Sequence, residues 1–435
     1  MPKKPYDPFH TWLTRPVRIG IMFFLITLFF VISPLLLLYT TGWRWNFNTW
    51  QAEATGVLSI DTLPEKAAVF LNDKLIATEQ PLRLASLAPG IYQVKISKEG
   101  YYPFNTDVTV RSHETTYIRN TTLFAINSPV LVTTTVGQIS NLGITVAEPL
   151  SYRFVKATPS STVFTTVSNQ ETITLPVSEE KKVLCAQAKS YCLIFENTIG
   201  AVQIIDLINP QNPRVVTLPN LKGLEFNETK NAPLFYAETS NRLTAIGSNT
   251  QTSVIGPVSS SIWFMENDQT WTYATGTLRS RTKAVAVPND TQKIITVQNS
   301  FSILQTKEGL AVVTGLPDNP VARPLPGYIG HDYHEATNEW RLWSPWEISS
   351  LYGQGDRAIL YRSAEAIQFV KALEPAGVLL IVQNNKLVAF NPGYYASQEL
   401  ARFDAISDLV TDEENRLILV AGSWEGQTGI FSLAY

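Results

Sequence analysis

The chain has 435 residues, more than one ordinary core holds and enough for two or three domains. Its formal charge of −3 gives no field that favours nucleic acid or an acidic surface, and two cysteines do not make a disulfide-built scaffold. Only 16% of residues are charged while 45% are hydrophobic, and beyond one N-terminal run the composition is that of strands and turns, so the expected class is mainly β.

The first predicted element is a helix. IGIMFFLITLFFVISPLLLLYTT, residues 19–41, carries no charge. As a helix it spans roughly 35 Å, enough to cross a bilayer core, and Pro34 is tolerable near one end. A secretory signal peptide is the rival reading. Its apolar region would run about 7–15 residues to a small-x-small cleavage site, and LLLLYTTGWRW offers no good one. Lys3, Lys4, Arg15 and Arg18 precede the helix against a lone Asp7, whereas Arg44 and Glu53 follow it. Positive flanks stay inside, so residues 1–18 are expected in the cytoplasm and the rest outside the plasma membrane, in a single-pass arrangement. Tyr6, Phe9 and Trp12 on one side and Tyr39, Trp43, Trp45, Phe47 and Trp50 on the other suit two interfacial belts. The alternative for the second group is packing on the next domain. Residues 42–55 read as a juxtamembrane linker.

Residues 56–125 read as short strands and turns. GVLSID places Leu58 and Ile60 on one face, and AAVFLNDKLI places Val69 and Leu71 on one face before a turn at Asn72-Asp73. LAPGIYQVKI puts Tyr92, Val94 and Ile96 inward, with Gln93 and Lys95 outward. Pro89-Gly90 is a natural turn pair, with Gly90 free to take positive φ, and Gly100 has the same freedom in SKEGYY. FNTDVTV and SHETTYIRNTTLF complete a small antiparallel β-sandwich. This stretch resembles the PEGA domain, a small extracytoplasmic β module of bacterial and archaeal surface proteins. The resemblance rests on Pro64-Glu65-Lys66-Ala67, on the L-x-P-G-x-Y-x-V-x-I run from Leu87 to Ile96, and on Lys98-Glu99-Gly100-Tyr101. Lys66 departs from the family, which has Gly there, and the usual Thr-Pro is stretched to Thr78-Glu79-Gln80-Pro81. The resemblance implies a surface accessory or adhesion-like module and brings no catalytic residues.

After a boundary at AINSP, residues 125–129, one theme recurs through 130–435: an apolar strand, a polar turn, a second strand. It begins at Thr162, Tyr191, Pro233, Ser261, Ile294, Glu339, Val378 and Arg416. A strand-only period of about 40 residues fits four-stranded propeller blades, about seven of them within a range of six to eight. A β-helix or two sandwiches are the alternatives. VQIIDLINPQNPRVV, residues 202–216, resembles the outer half of a degenerate bacterial propeller repeat, and no WD-type dipeptide recurs.

No motif carries chemistry, so no catalytic, cofactor-binding or metal-binding residue is assigned. No G-x-S-x-G elbow or Gly-rich phosphate loop occurs. His113-Glu114 and His334-Glu335 begin an H-E-x-x pattern that Tyr117 and Asn338 fail to complete. His331, Asp332, His334 and Glu335 could offer metal ligands, although a solvated inter-blade loop accounts for them more simply. Asp404, Asp408, Asp412, Glu413 and Glu414 read as solvated turn residues rather than a glycosidase pair. Trp340, Trp343 and Trp346 read as blade-to-blade packing rather than a sugar platform.

The expected role is a membrane-anchored extracytoplasmic binding or scaffold protein, without catalysis or cofactor. Its expected partners are its own membrane and a cell-wall glycan or envelope protein, and no nucleic acid. The rivals are a propeller hydrolase or lyase acting on polysaccharide, and a purely structural envelope spacer. Two further expectations are structural. If the chain reverses at Ala188-Lys189, Cys185 faces Cys192 within disulfide reach, and either a bond or two buried thiols satisfies the register. The apolar run Ile430, Phe431 and Leu433 is expected to hold residues 428–435 against strands from about residues 130–150, closing the ring.

Overall fold

The structure is a computed structural model. It describes residues 15–435 except 41, 47–49, 80, 136–137, 146–150, 159–160, 169–171, 178–180, 187–190, 197–199, 210, 228–232, 259, 261, 267–268, 282, 299, 317–318, 335–336 and 374–376. Lys3, Lys4, Tyr6, Asp7, Phe9, Trp12, Phe47 and Glu335 therefore lie outside the described residues. The chain divides into two compact units: residues 1–99 with 103–123, and residues 100–102 with 124–435.

In the first unit the apolar run forms one helix, α1 (Arg15–Thr40), with Pro34 inside it. Its stretch Pro16–Thr40 is long and apolar enough to cross a membrane, and its most apolar window is not buried by the described residues. Residues 42–55, read as a linker, instead hold a hairpin of β1 (Trp43–Asn46) and β2 (Gln51–Ala54).

Seven strands follow: β3 (Gly56–Leu63), β4 (Ala68–Leu71), β5 (Lys74–Ala77), β6 (Leu82–Leu87), β7 (Gly90–Ser97), β8 (Phe104–Val110) and β9 (Thr115–Thr122). They form two sheets, ordered β6-β3-β9 and β5-β4-β7-β8. The alternation read from the sequence becomes the core between them, with Leu58, Ile60, Val69, Val94, Ile96 and Ile118 all almost fully buried. Fully burying each such aliphatic side chain stabilises the fold by about 1.5–3 kcal/mol. Two local expectations change. β3 pairs with β9 in parallel, so the sandwich is mixed rather than wholly antiparallel. The left-handed backbone near the Pro89-Gly90 bend belongs to Ser86, with φ 66°, and not to Gly90. Gly100 does take positive φ, at 79°, as does each residue of the Asn72-Asp73 turn.

The second unit is a β-propeller. Among its described residues are eight four-stranded antiparallel sheets. Blades 1 to 7 take four consecutive strands each, and their first strands start at Gln138, Lys182, Leu221, Ile262, Thr291, Gly330 and Ile367. First strands of neighbouring blades abut, which places them innermost: Gly330–His334 against Ile367–Leu373, and Ile367–Leu373 against Ala405–Asp412. Fourth strands are largely exposed, as in Thr252–Pro257 and Val321–Pro326.

Blade 8 takes its first three strands (Ala405–Asp412, Leu417–Trp424, Gln427–Ala434) from the C-terminal side and its outermost strand, β10 (Val130–Thr134), from the N-terminal side. Val130 opposes Ser432 and Thr134 opposes Gly429, and Thr135 N donates to Thr428 O at 2.9 Å. The mixed closing blade expected from Ile430, Phe431 and Leu433 is present. The count of eight is one above the estimate from the period. The eight recurring segments sit at different places in their blades: Ile294 begins within a first strand, Tyr191 opens a second and Thr162 falls in a third. Their spacing therefore does not measure the blade.

Apolar side chains fill the wedges between blades. Leu193, Val202 and Ile204 of blade 2 meet Leu221, Phe226 and Phe235 of blade 3. Trp343 and Ile348 of blade 6 meet Ile367, Leu379 and Phe390 of blade 7. Across the closure, Ile139, Leu142 and Phe154 of blade 1 meet Leu419, Ala421 and Ile430 of blade 8. In blade 2, Cys185 opposes Cys192 in the ladder with Cα atoms 4.1 Å apart, and the two are joined as a disulfide. The turn between them, residues 187–190, lies outside the described residues.

Candidate functional site

An innermost blade strand is a sheet edge, so part of its backbone has no ladder partner. Blades 6 to 8 answer that with charged side chains. Asp332, on the inner strand of blade 6, accepts from Lys371 Nζ of blade 7 at 2.7 Å through Oδ1. Its Oδ2 accepts from the backbone N–H of Ala372 at 3.2 Å. Asp408, on the inner strand of blade 8, repeats the device: Oδ2 accepts from Leu142 N of blade 1 and Oδ1 from Leu409 N, both at 2.8 Å. A carboxylate on one inner strand thus caps an N–H on the next blade, at two junctions that include the closure.

Two groups on these strands have shifted proton affinities. Burial raises the Asp408 carboxyl, and this outweighs the two amide hydrogen bonds and the charge of Lys371, which pull the other way. Burial lowers the His331 imidazole, helped by Lys293 on the inner strand of blade 5 and opposed by Asp332. The His331 ring stands 5.9 Å from that of Trp340. The result is a polar lining of two amines, two carboxylates and one imidazole, drawn from four inner strands. Its carboxylates are engaged in joining blades.

A second polar cluster belongs to blade 6. Tyr328 donates to Glu347 Oε1 at 2.6 Å and shares a hydrogen bond with Ser349 at 2.8 Å, while Arg362 Nε donates to Glu347 Oε2 at 3.0 Å. Burial, then the bond to Glu347, raises the Tyr328 hydroxyl. For Glu347 burial acts upward, but the Tyr328 hydroxyl and Arg362 together hold the carboxyl below its ordinary value.

The residues weighed from the sequence separate. Along Gly330–His334 the chain alternates, so the His331 ring opens onto the inner lining, touching solvent yet crowded by enough surrounding protein to be desolvated, while His334 is fully buried with Nδ1 2.7 Å from Thr337 Oγ1. With Asp332 committed to Lys371, these residues do not converge, and among the described residues no group of three or more His, Cys, Asp and Glu side chains could hold a metal ion. Asp404 and Asp412 serve turns, accepting from Gly426 N at 3.0 Å and Asn415 N at 3.1 Å, and Glu413 and Glu414 are exposed. Trp340 and Trp343 pack between blades, whereas Trp346 is exposed. His113 lies in the first unit, its ring 5.9 Å from that of Trp43. Sequence reasoning missed Lys293 and Lys371. The signal was a charge inside an apolar run, as in IQFVKAL, but which blade it meets is a tertiary fact.

Residues 55–123 match the PEGA domain family. No curated protein matches the chain. Among solved structures it is similar to an oligogalacturonate lyase in complex with manganese, at 10% identity and TM-score 0.40, covering 68% of this chain and 89% of that one. It is also similar to YCF48 bound to D1 peptide, at 8% identity and TM-score 0.43, covering 71% and 94%. A third is Hsv2 of Kluyveromyces lactis, at 12% identity and TM-score 0.40, covering 61% and 99%. The described residues form an N-terminal apolar helix, a PEGA domain and a β-propeller of eight four-stranded blades.

Proposed function

We propose that this is a single-pass envelope protein, with its N-terminus in the cytoplasm and its PEGA domain and propeller outside, acting as a non-enzymatic binding scaffold. The observation that carries the reading is the Cys185–Cys192 disulfide within the propeller, behind a helix of membrane-spanning length. Such bonds form and persist in oxidising compartments outside the cytoplasm. The PEGA domain supports the same placement. The scaffold role is supported by Asp332 and Asp408, whose carboxylates hold neighbouring blades together and are not paired as an acid and a base. The polar lining suits a polar envelope ligand, a cell-wall glycan or an envelope protein, and the formal charge of −3 disfavours nucleic acid.

Protease added to spheroplasts tests the topology, with removal of residues 56–435 expected and full protection of an accessible sample overturning it. A binding screen of the exported portion against cell-wall glycans and envelope proteins tests the role. Release of reducing ends or unsaturated products from a polysaccharide would replace the scaffold with the enzyme reading.

A further inference from the structure

The end of the PEGA sandwich nearest the helix is fastened to it by direct bonds. Gly42 N donates to Tyr39 O in the last turn of α1, and Gly42 O accepts both Thr55 N at 2.9 Å and Thr55 Oγ1 at 2.6 Å, just before β3. Arg44 lies over the Tyr39 ring, 3.5 Å from its centroid, donates to Tyr39 O at 3.2 Å and to Ser86 Oγ at 2.8 Å, at the end of β6. His113 N donates to Thr55 O at 3.0 Å, and Val57 N to Glu114 O at 3.0 Å. Four segments thus converge on the helix end: the start of the β1–β2 hairpin, the start of β3, the end of β6 and the β8–β9 turn.

That base exposes what the rest of the sandwich hides. Ile91, the second residue of β7, is 71% exposed. Ile91 occupies an outward position, where the same strand otherwise carries Gln93 and Lys95. Ala88, Pro89 and Gly90 beside it are exposed, and Tyr92 holds their turn by donating to Ala88 O at 2.8 Å. Arg111 and His113 are exposed on the neighbouring turn. A rigid apolar turn carrying Ile91, beside the Arg111 cation, makes a surface complementary to a bilayer interface.

We infer that this end of the PEGA domain is seated in the headgroup layer of the membrane that α1 spans, with the Pro89-Gly90-Ile91 turn inserted in it. The occupant follows from continuity. The 25 residues Pro16–Thr40 extend about 37 Å as a helix, more than the roughly 30 Å hydrocarbon core, so Thr40 emerges among headgroups. That layer is about 5–7 Å deep on each side, and the bonds from Tyr39, Gly42 and Arg44 leave the base no slack to clear it. Gly42, Arg44 and Thr55 act as a footing, and the PEGA domain stands on the bilayer with a fixed end down.

The inference rests on the membrane-spanning reading of α1, and the test separates the two. The full chain is reconstituted into vesicles of phosphatidylcholine and phosphatidylglycerol. Single cysteines at Ile91→Cys or Glu65→Cys carry an environment-sensitive fluorophore, the native pair remaining oxidised. Glu65 is exposed beyond the far end of β3, about 25 Å from the base at roughly 3.3 Å per residue. Headgroup spin-labelled lipid should quench position 91 strongly, with blue-shifted emission, and leave position 65 unaffected. Quenching at 91 no greater than at 65, in protein that floats with the vesicles, overturns the inference and leaves the anchor intact. Failure to float overturns the anchor and the inference with it.

Discussion

Val130 faces Ser432 across the closing blade, the Ser432 hydroxyl 3.4 Å from the Val130 carbonyl, although 302 residues separate them. Closure by an N-terminal outer strand makes that sheet a place where one ladder is built from chain segments 302 residues apart. Removing residues 428–435 should therefore lower the melting temperature of the whole propeller in one cooperative step. Hydrogen exchange is the check, because loss of protection confined to residues 404–427, with blade 5 unaffected, would contradict a closed ring.

Gly429 tests the same latch more gently. It opposes Thr134, and a Cβ there would overlap the Thr133 carbonyl. The overlapping atom is backbone, so Gly429→Ala should cost about 1–3 kcal/mol, seen in denaturant midpoints of the propeller. An alanine at Gly256, where nothing approaches within 4 Å, is the matched control and should be near neutral.

Thiol labelling under denaturing, non-reducing conditions should find no free thiol, and after reduction two. The bond closes a loop of sequence separation 7. Chain entropy gives such a short loop about 2–3 kcal/mol, so a Cys185→Ala, Cys192→Ala double variant should fold and melt lower by that order.

Asp332 and Lys371 tie blade 6 to blade 7 with Asp332 mostly buried and Lys371 35% exposed. Solvent screening reduces the coupling to about 1 kcal/mol, measurable as a double-mutant cycle of Asp332→Asn and Lys371→Met. The single Asp332→Asn change should be the costlier one, because it weakens the cap on Ala372 N as well.

His331 gives the propeller an acid sensitivity. Its folded proton affinity is lowered by burial and by Lys293 from an ordinary value of 6.5. As pH falls through that value the unfolded chain binds the extra proton first, so stability drops on the acid side. His331→Gln should flatten stability between about pH 7 and pH 5, a comparison that isolates the imidazole because Asp408 is present in both proteins. An unchanged slope would remove His331 as its source.

What could be read from the sequence followed the range of the rule that reads it. The period-2 faces of β3, β4 and β7 and the Cys185–Cys192 register depend on neighbours a few residues apart, and each is found as expected. The latch was legible across 302 residues because an apolar final strand and an incomplete first blade complement each other. The parallel pairing of β3 with β9 was hidden, since five strands intervene and neither strand's pattern encodes direction. The line from Lys293 to Asp408 was hidden for a different reason. Each member sits in an ordinary strand, and only the order of blades around the ring sets Asp332 beside Lys371 or Asp408 beside Leu142.

A ring latched by β10 also has a schedule. β10 is synthesised 302 residues before the part of its partner that carries Ser432, an interval of about 15–60 s at ordinary translation rates. Through that interval β10, with Val130 and Val132 on it, is an edge without its partner. The protein is then most open to aggregation and to proteases while its own synthesis is under way, and a ribosome that stalls in blade 7 releases a chain that no later folding can close.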